Sequence, residues 1–352
     1  MKQTYQASWP INQLFILLTS ISIFFVILKY SADLFVPFLI AIAIAIVLSP
    51  LFNYLEKKHV PKIISLIFVS LITIIPVISL AGYIAEEVNS FINNFQEMQQ
   101  QFNASIDRFS YTLETYGIPV GSEKLHYMIE QTNIKAVIQK LATQAGNQFS
   151  NLFIIFFTTA FMLMETDFLY NKLQKITVDK GKKIDEYMDI IEKIKSYFLI
   201  KVKTSLFSAL WIFAILWFYD IKYALLWSTL VFFLNFIPVI GSILAAIPAI
   251  LMALLDQGIM TALWVLAWYI IVNTVIGNVL EPRIMGKGLG LSALVIFLSM
   301  TFWGWIFGPA GMILSVPLTM SMQFLFSRYE ETKWIAFLLS DYEKSSAVQK
   351  EK

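Results

Sequence analysis

Apolar residues along the chain come in long stretches separated by polar segments, a pattern typical of membrane-spanning helices. In the first half of the chain the apolar stretches lie at 11–28, 34–52, 63–85 and 149–164. The first three are close to the roughly 20 apolar residues that cross about 30 Å of hydrocarbon as a helix. Two further spans are predicted at 204–219 and 259–280. The chain is therefore expected to be an all-α polytopic membrane protein with about six full spans.

The fifth and sixth predicted spans are each followed by an apolar stretch that is broken in its middle. The first pair of pieces is 223–236 and 243–255, and the second pair is 291–303 and 312–327. Pieces this short make only about 20 Å of helix at 1.5 Å per residue, too little to cross the hydrocarbon comfortably. We expect each pair to form a hairpin that dips into the membrane and returns, although full crossings would leave the same residues on the same sides.

The two breaks resemble each other in sequence. Phe236-Ile-Pro-Val-Ile-Gly241 precedes an apolar run that ends at Pro248, and Gly308-Pro-Ala-Gly311 precedes one that ends at Pro317. Paired, interrupted apolar segments in corresponding halves of a chain indicate a transporter's binding site. Because the two units enter from opposite sides, they predict an inverted repeat whose broken turns meet near the bilayer midplane.

The breaks also carry a chemical expectation. Helices that begin after Pro238 and Pro309 would present free backbone amides and a partial positive charge, which suit an anionic or carbonyl-bearing solute. Irregular backbone at membrane depth is tolerated only where protein buries it or where it lines a watery cavity. The alternative is that proline and glycine here only let helices kink and pack closely.

Few polar residues lie near the breaks, and most of them belong to the sixth span. Asn273, Gly277 and Glu281 fall at i, i+4 and i+8 on one helix face, with Asn278 beside them. Asn235 lies just before the first break. This stripe is the candidate binding surface.

Glu281 is the one carboxylate near the stripe. A carboxylate at the bilayer centre costs about 2.5–3.5 kcal/mol on insertion scales, so a submerged Glu281 should be paired or should line a cavity. We expect its partner to be Arg283 or a bound cation. The alternative is that Glu281 and Arg283 only mark the cytoplasmic end of a span.

The segment 86–148 is polar, with a helical stripe of apolar residues. It predicts an αα-hairpin outside the bilayer core. This hairpin is either a packed cap or oligomer contact, or a lid or solute receptor.

Lysines concentrate in the charged segment 165–203, and 57, 58 and 62 are also lysines. Positive residues near span ends remain in the cytoplasm, so this segment, both chain termini and the 57–62 connection are expected there. The segment 86–148 then faces outward. Interleaved acidic residues favour a solvated helix at 165–203 over binding of anionic lipid or nucleic acid.

Composition supports the membrane assignment: 58% of the residues are hydrophobic and 14% are charged. A net charge of +2 does not indicate a nucleic-acid partner. The chain has no cysteine, and its two histidines lie far apart in polar segments. The Walker A, HExxH and GxSxG motifs are absent, so we expect no enzyme activity, no cofactor and no metal site.

These patterns divide the chain into units. Residues 1–85 are expected to form three spans, and 86–148 the outer hairpin. Span four and the basic segment occupy 149–202. Two units of a span plus a broken hairpin follow at 203–258 and 259–327, and 328–352 is the cytoplasmic tail.

The last third of the chain resembles a known family. Asn278-Val-Leu-Glu-Pro-Arg-Ile-Met-Gly-Lys-Gly-Leu-Gly-Leu291, with the two broken motifs, is similar to the autoinducer-2 exporter family of bacterial membrane proteins. The resemblance implies a transporter in the bacterial cytoplasmic membrane. Some members of the family are assigned to export of a quorum-sensing signal and others to sodium/proton antiport. The resemblance carries over to these positions: Pro238, Gly241, Glu281, Pro282, Arg283, Gly308, Gly311 and Pro317.

We therefore expect a secondary transporter that exports a small solute by alternating access, with the repeat unit moving against spans one to four. A coupling proton or sodium ion would engage Glu281. A sodium/proton antiporter and a non-transporting membrane scaffold are the alternatives. The expected partners are membrane lipid, a small-molecule or ion substrate and further copies of the chain.

Overall fold

The computed structural model describes residues 11–115, 151–179, 185–285 and 290–340. Within these ranges the chain is helical, apart from turns and one isolated bridge between Leu291 and Ser340. The α-helices in chain order are α1 Ile11–Tyr30, α2 Ala32–Lys57, α3 Lys62–Thr115, α4 Leu152–Asp179, α5 Asp185–Phe218, α6 Ala224–Leu234, α7 Gly241–Gln257, α8 Ile259–Val272, α9 Glu281–Met285, α10 Ala293–Phe326 and α11 Lys333–Leu339. A π-helix, Asn273–Leu280, joins α8 to α9.

Several of these helices have the length and composition of membrane spans. By those two criteria, five helices within the described ranges could cross a membrane, namely Ala32–Lys57, Lys62–Asn94, Met188–Phe218, Ile259–Leu280 and Ala293–Phe326. Shorter apolar helices accompany them, including Leu18–Tyr30, Leu152–Glu165 and both helices of the first broken pair. The prediction of an all-α polytopic membrane protein is confirmed.

The surface of the bundle has the character expected of a protein surrounded by lipid. On the first turns of α3, Ile64, Ile67 and Leu71 are exposed, whereas Ser65 and Val69 are fully buried. Large apolar side chains facing outward and a small polar residue facing inward reverse the pattern of a soluble helix. Lipid tails can cover such a face without the penalty that water would impose.

Charged residues distinguish the two ends of the bundle. We call one the basic end, because it holds the α2–α3 connection with Lys57 and Lys58, the start of α5 with Lys193, and Arg283. The opposite end holds the α1–α2 connection at Ser31, the α6 start and the α7–α8 connection.

The first broken pair forms a helical hairpin, which we call hairpin 1. It consists of α6, a turn at 235–240, and α7. The start and the finish of hairpin 1 lie side by side at the opposite end of the bundle. There, Asp256 Oδ2 accepts a hydrogen bond of 2.9 Å from the Lys222 backbone N–H. The Asp256 carboxylate also lies 3.6 Å from Lys222 Nζ. This contact closes the open end of the hairpin.

The second broken pair, hairpin 2, is the single element α10 folded back on itself at Gly308. Trp303 Nε1 donates to Thr319 Oγ1 at 3.0 Å, and Thr319 Oγ1 donates to Ser299 Oγ at 2.8 Å. Residues 16 positions apart would be separated by about 24 Å along a straight helix. These contacts therefore require two antiparallel arms.

Two predicted boundaries are wrong. The basic segment and the fifth span form one continuous helix, α5, so the expected division at 202–203 falls inside it. The third span likewise continues without interruption from Lys62 to Thr115, through Pro76 and far into the polar segment. Tertiary contacts hold both helices past the point where the apolar pattern ends. The second arm of the predicted outer hairpin lies outside the described residues.

The two hairpins belong to different parts of the core. Hairpin 1 shares its largest apolar cluster with α5 and α8, through residues such as Leu216, Ala245 and Val265. Gly308 of hairpin 2 follows Trp303, Ile306 and Phe307, which pack against Phe25 and Leu28 of α1. The two turns consequently lie in different surroundings.

The polar part of α3 contacts the open end of hairpin 1. Phe91, which is 7% exposed, makes edge-to-face contacts with Tyr223 and Trp227 at centroid distances of 5.7 Å. Asn94 Nδ2 also donates to the Tyr223 hydroxyl at 3.4 Å. The apolar stripe of the polar segment is thus used here for a contact within the chain.

Replacing Phe91 with Ala should destabilise the protein by about 3 kcal/mol or more, because it removes a buried aromatic side chain and leaves a cavity. The measurement is the unfolding midpoint in mild detergent. Phe153→Ala is the control, because Phe153 is 70% exposed and should tolerate truncation. Equal midpoints for the two variants would contradict the assigned contact.

Candidate functional site

Each of the two turns has a residue with a positive φ angle and a glycine two or three residues later. At hairpin 1, Val239 has a φ of 65° and is followed two residues later by Gly241. At hairpin 2, Gly308 has a φ of 64°, and Gly311 follows three residues later. A left-handed residue is rare for a side chain as bulky as valine, so the Val239 conformation carries local backbone strain.

Both Gly241 and Gly311 allow backbone to pack directly on backbone. A Cβ atom at Gly241 would lie 1.8 Å from the Leu234 carbonyl oxygen. At Gly311, a Cβ atom would lie 1.9 Å from the Trp303 carbonyl oxygen. These separations are far below van der Waals contact, so only glycine fits at either position.

The polar contacts at the hairpin 1 turn come from a buried ion pair. Lys201 Nζ of α5 lies 2.7 Å from Glu281 Oε1, and the side chains are only 10% and 13% exposed. Lys201 Nζ also donates to the Asn235 carbonyl oxygen at 3.2 Å. Asn235 Nδ2 in turn donates to Ser205 Oγ at 3.0 Å. The cluster joins α5, the hairpin 1 turn and the start of α9.

The α5 side of this cluster is a polar face inside an apolar bundle. Tyr197, Lys201, Ser205 and Ser208 follow each other at helical spacing, and all four are buried. Tyr197 is 1% exposed, and its hydroxyl has no hydrogen-bond partner among the described residues. A buried hydroxyl without a partner costs free energy, which makes it a candidate contact for a bound molecule or a moving side chain.

Lys201 is the fourteenth residue of the 31-residue span Met188–Phe218, and Asn235 follows the 11-residue helix α6, so the cluster lies inside the bundle. Glu281 follows the span Ile259–Leu280, which is 22 residues long, so it comes about one hydrocarbon thickness after the start of that span. The hairpin 2 turn lies elsewhere. Its neighbours are Phe25 and Leu28, and Lys29 Nζ sits 4.1 Å above the Trp305 ring. The two turns thus have different neighbours, and their meeting near the bilayer midplane stays a prediction.

Sequence reasoning also misassigned the partner of Glu281. Glu281 pairs with Lys201 rather than with Arg283, which is exposed. Lys201 is 80 residues earlier in the chain, and only the packing of α5 against the π-helix and α9 brings the two together. The sequence signal that could have found Lys201 is the polar i, i+4, i+8 spacing of Tyr197, Lys201 and Ser205.

The predicted stripe on the sixth span differs in exposure along its length. Asn273 and Asn278 are exposed, whereas Gly277 and Glu281 are partly buried. Residues 273–280 of this span form the π-helix. The Asn273 side chain lies over Gly277, where a Cβ atom would come within 3.2 Å of Asn273 Oδ1.

The remaining predicted positions are prolines in the two hairpins and at the start of α9. Pro238 lies in the turn of hairpin 1, and its carbonyl oxygen accepts a 2.7 Å hydrogen bond from the Ile240 N–H. Pro309 opens the second arm of hairpin 2. Pro248 and Pro317 lie inside α7 and α10, and Pro282 lies in the first turn of α9. In the described ranges, no three His, Cys, Asp or Glu side chains converge as a metal site would require.

A polytopic bundle with two glycine-packed hairpins and a buried ion pair at the tip of one defines a class, the helical membrane transporters with broken helices. Comparison with known proteins gives the family. A model described as AI-2E family transporter matches residues 14–331. The chain belongs to this family, which is a transporter family and not an enzyme family.

Several relatives align over most of their length. The AI-2 transport protein TqsA of Escherichia coli is 35% identical over 317 residues, covering 90% of this chain and 92% of TqsA. A relative from Haemophilus influenzae is 32% identical over 321 residues, covering 90% and 92%. YhhT of Escherichia coli is 29% identical over 289 residues, covering 82% and 83%. The resemblance seen in the sequence is confirmed.

Replacing Gly241 or Gly311 with Ala should open the corresponding hairpin, because the new methyl group overlaps a backbone oxygen that cannot move without displacing a helix. We expect a lower unfolding midpoint and faster proteolysis at the turn. Gly82→Ala is the matched control, because nothing lies within 4 Å of a Cβ atom there. If all three variants behave alike, the close backbone contact is not needed.

Proposed function

We propose that the chain is a secondary transporter that exports a small polar solute across the bacterial cytoplasmic membrane by alternating access. TqsA is by its name a transport protein for AI-2. We take AI-2, or a solute of similar size and polarity, as the first candidate substrate of this chain.

The observation that carries this proposal is the cluster of Lys201, Glu281 and Asn235. It ties the tip of hairpin 1 to two spans through groups that can exchange partners. A buried ion pair is costly to desolvate and weak evidence for stability alone. Ionisable residues inside membrane segments usually mark substrate or ion pathways. When the pair opens, α5 loses its polar attachment to α9, and the Asn235–Ser205 hydrogen bond still joins the tip of hairpin 1 to α5.

We place the basic end in the cytoplasm, with both termini, because positive residues near span ends remain there. The α3 extension then projects outward, and its contact with Tyr223 and Trp227 lets it act as a cap on hairpin 1. In this arrangement hairpin 1 reaches from the outer side into the bundle, where its tip contacts Lys201 of α5. We propose that hairpin 1 enters the membrane from the outer side and hairpin 2 from the cytoplasmic side, and that neither hairpin crosses to the other side.

We further propose that the protein works as a homo-oligomer. Asn273, Thr274 and Asn278 are exposed on a span. Lipid tails offer no hydrogen-bond partners for such side chains, whereas a neighbouring helix does. Crosslinking of a cysteine at position 274 in membranes is the direct test, and a purely monomeric product would contradict it.

Glu281→Gln should lower solute flux by about tenfold or more, because a tenfold change corresponds to only about 1.4 kcal/mol and unpairing a buried charge costs more than that. The assay is AI-2 flux in proteoliposomes, with internal pH followed with and without a sodium gradient. Glu330→Gln is the control, because Glu330 is 82% exposed in its pair with Lys333.

The outcomes separate the possible activities. AI-2 flux lost only in Glu281→Gln supports the exporter and places Glu281 in its cycle. A sodium-driven pH change without AI-2 flux, abolished by the same variant, would replace the exporter with a sodium/proton antiporter. No flux of solute or ion in any protein would overturn transport and favour a membrane scaffold.

A further inference from the structure

The oxygen atoms that hold the Lys201 ammonium are those that would hold a monovalent cation. Glu281 Oε1 is 2.7 Å from Lys201 Nζ, and the Asn235 carbonyl oxygen is 3.2 Å away. A carboxylate and a backbone carbonyl are hard oxygen ligands, which hard cations prefer. Asn235 also ends α6, so its carbonyl lies at the negative end of that helix dipole.

We propose that Lys201 is a tethered cation that competes with a sodium ion for the site between Glu281 and the Asn235 carbonyl. Sodium binds there only when the ammonium moves away. Because one carboxylate balances one positive charge, the site holds either Lys201 or a monovalent ion. This inference rests on the proposed function, since it names the ion that Glu281 exchanges during transport.

The structure offers an acceptor for the displaced ammonium. Tyr197 lies one turn before Lys201 on the same buried face of α5, and residues four apart on a helix are neighbours. Its hydroxyl has no partner among the described residues. A hydroxyl oxygen can accept a hydrogen bond from an ammonium group. Lys201 can therefore leave Glu281 while remaining hydrogen-bonded inside the bundle.

Exchange at this site would change how hairpin 1 is attached. Lys201 Nζ connects α5 to the Asn235 carbonyl at the hairpin turn, beside the Asn235–Ser205 hydrogen bond. A sodium ion bound by Glu281 and Asn235 would attach the turn to α9 and leave the Ser205 hydrogen bond as its polar contact with α5. Lys201 and a sodium ion would therefore attach the hairpin 1 turn to the bundle differently.

The test is sodium-dependent thermal stability of the full-length protein in detergent, with choline chloride at equal concentration as the ionic-strength control. In Lys201→Met, Glu281 is left charged and buried without its partner, which is destabilising. Sodium should restore stability at a concentration at least about tenfold lower than any sodium effect on the wild type, since no tethered competitor remains.

Two further variants keep the test independent of folding defects. Lys201→Met combined with Glu281→Gln removes both charges and should show no sodium-specific stabilisation. Lys222→Met serves as the matched control, because Lys222 also pairs with a carboxylate, at 3.6 Å from Asp256 Oδ1, at the opposite end of the bundle. It should respond to sodium as the wild type does.

A flat sodium response in Lys201→Met, or a response that persists in the double variant, would overturn the tethered cation. If Glu281→Gln still abolished AI-2 flux in that case, the proposed transport function would stand. Conversely, sodium-specific stabilisation of Lys201→Met in a protein whose wild type moves neither AI-2 nor ions would retain the cation site and overturn the proposed function.

Discussion

A lysine ammonium buried among apolar helices must find negative partners, and this requirement organises the region around the tip of hairpin 1. Lys201 meets it with the Glu281 carboxylate and the Asn235 carbonyl oxygen. Since those partners belong to α9 and to the hairpin turn, the two elements must stay against α5 as long as the lysine is charged. Breaking such a pair leaves an uncompensated charge in a medium that solvates charge poorly.

Glycine contacts provide the second constraint, and it acts on both hairpins alike. Gly241 and Gly311 each bring a helix start against a carbonyl oxygen of the preceding helix. The two similar sequence motifs therefore form turns with the same close packing of backbone on backbone. The surroundings of the two turns are unlike, however. One turn sits at a polar cluster on α5, and the other packs against apolar residues of α1. Only the first has the chemistry of an ion or solute site.

Family membership and local structure answer different questions about this protein. The match over residues 14–331 assigns the chain to a transporter family. The ion pair, the π-helix and the Tyr197 hydroxyl, which has no hydrogen-bond partner among the described residues, are the features on which we base the proposed site. A π-helix in a span that ends at the buried carboxylate is consistent with that location, because such segments occur often at functional sites. Phe91 contacts the other end of the same hairpin, at Tyr223 and Trp227.

The sequence by itself determined the membrane class, most spans and both broken helical pairs, and it singled out Glu281 as a candidate site residue. Apolar length is a local property, and so is the effect of proline and glycine on a helix, so these features can be predicted without tertiary contacts. Only the tertiary structure decided that Lys201 pairs with Glu281, that α5 is one helix and that the two turns pack in different surroundings. Each depends on contacts between residues far apart in the chain, which the local pattern of apolar and polar residues does not specify.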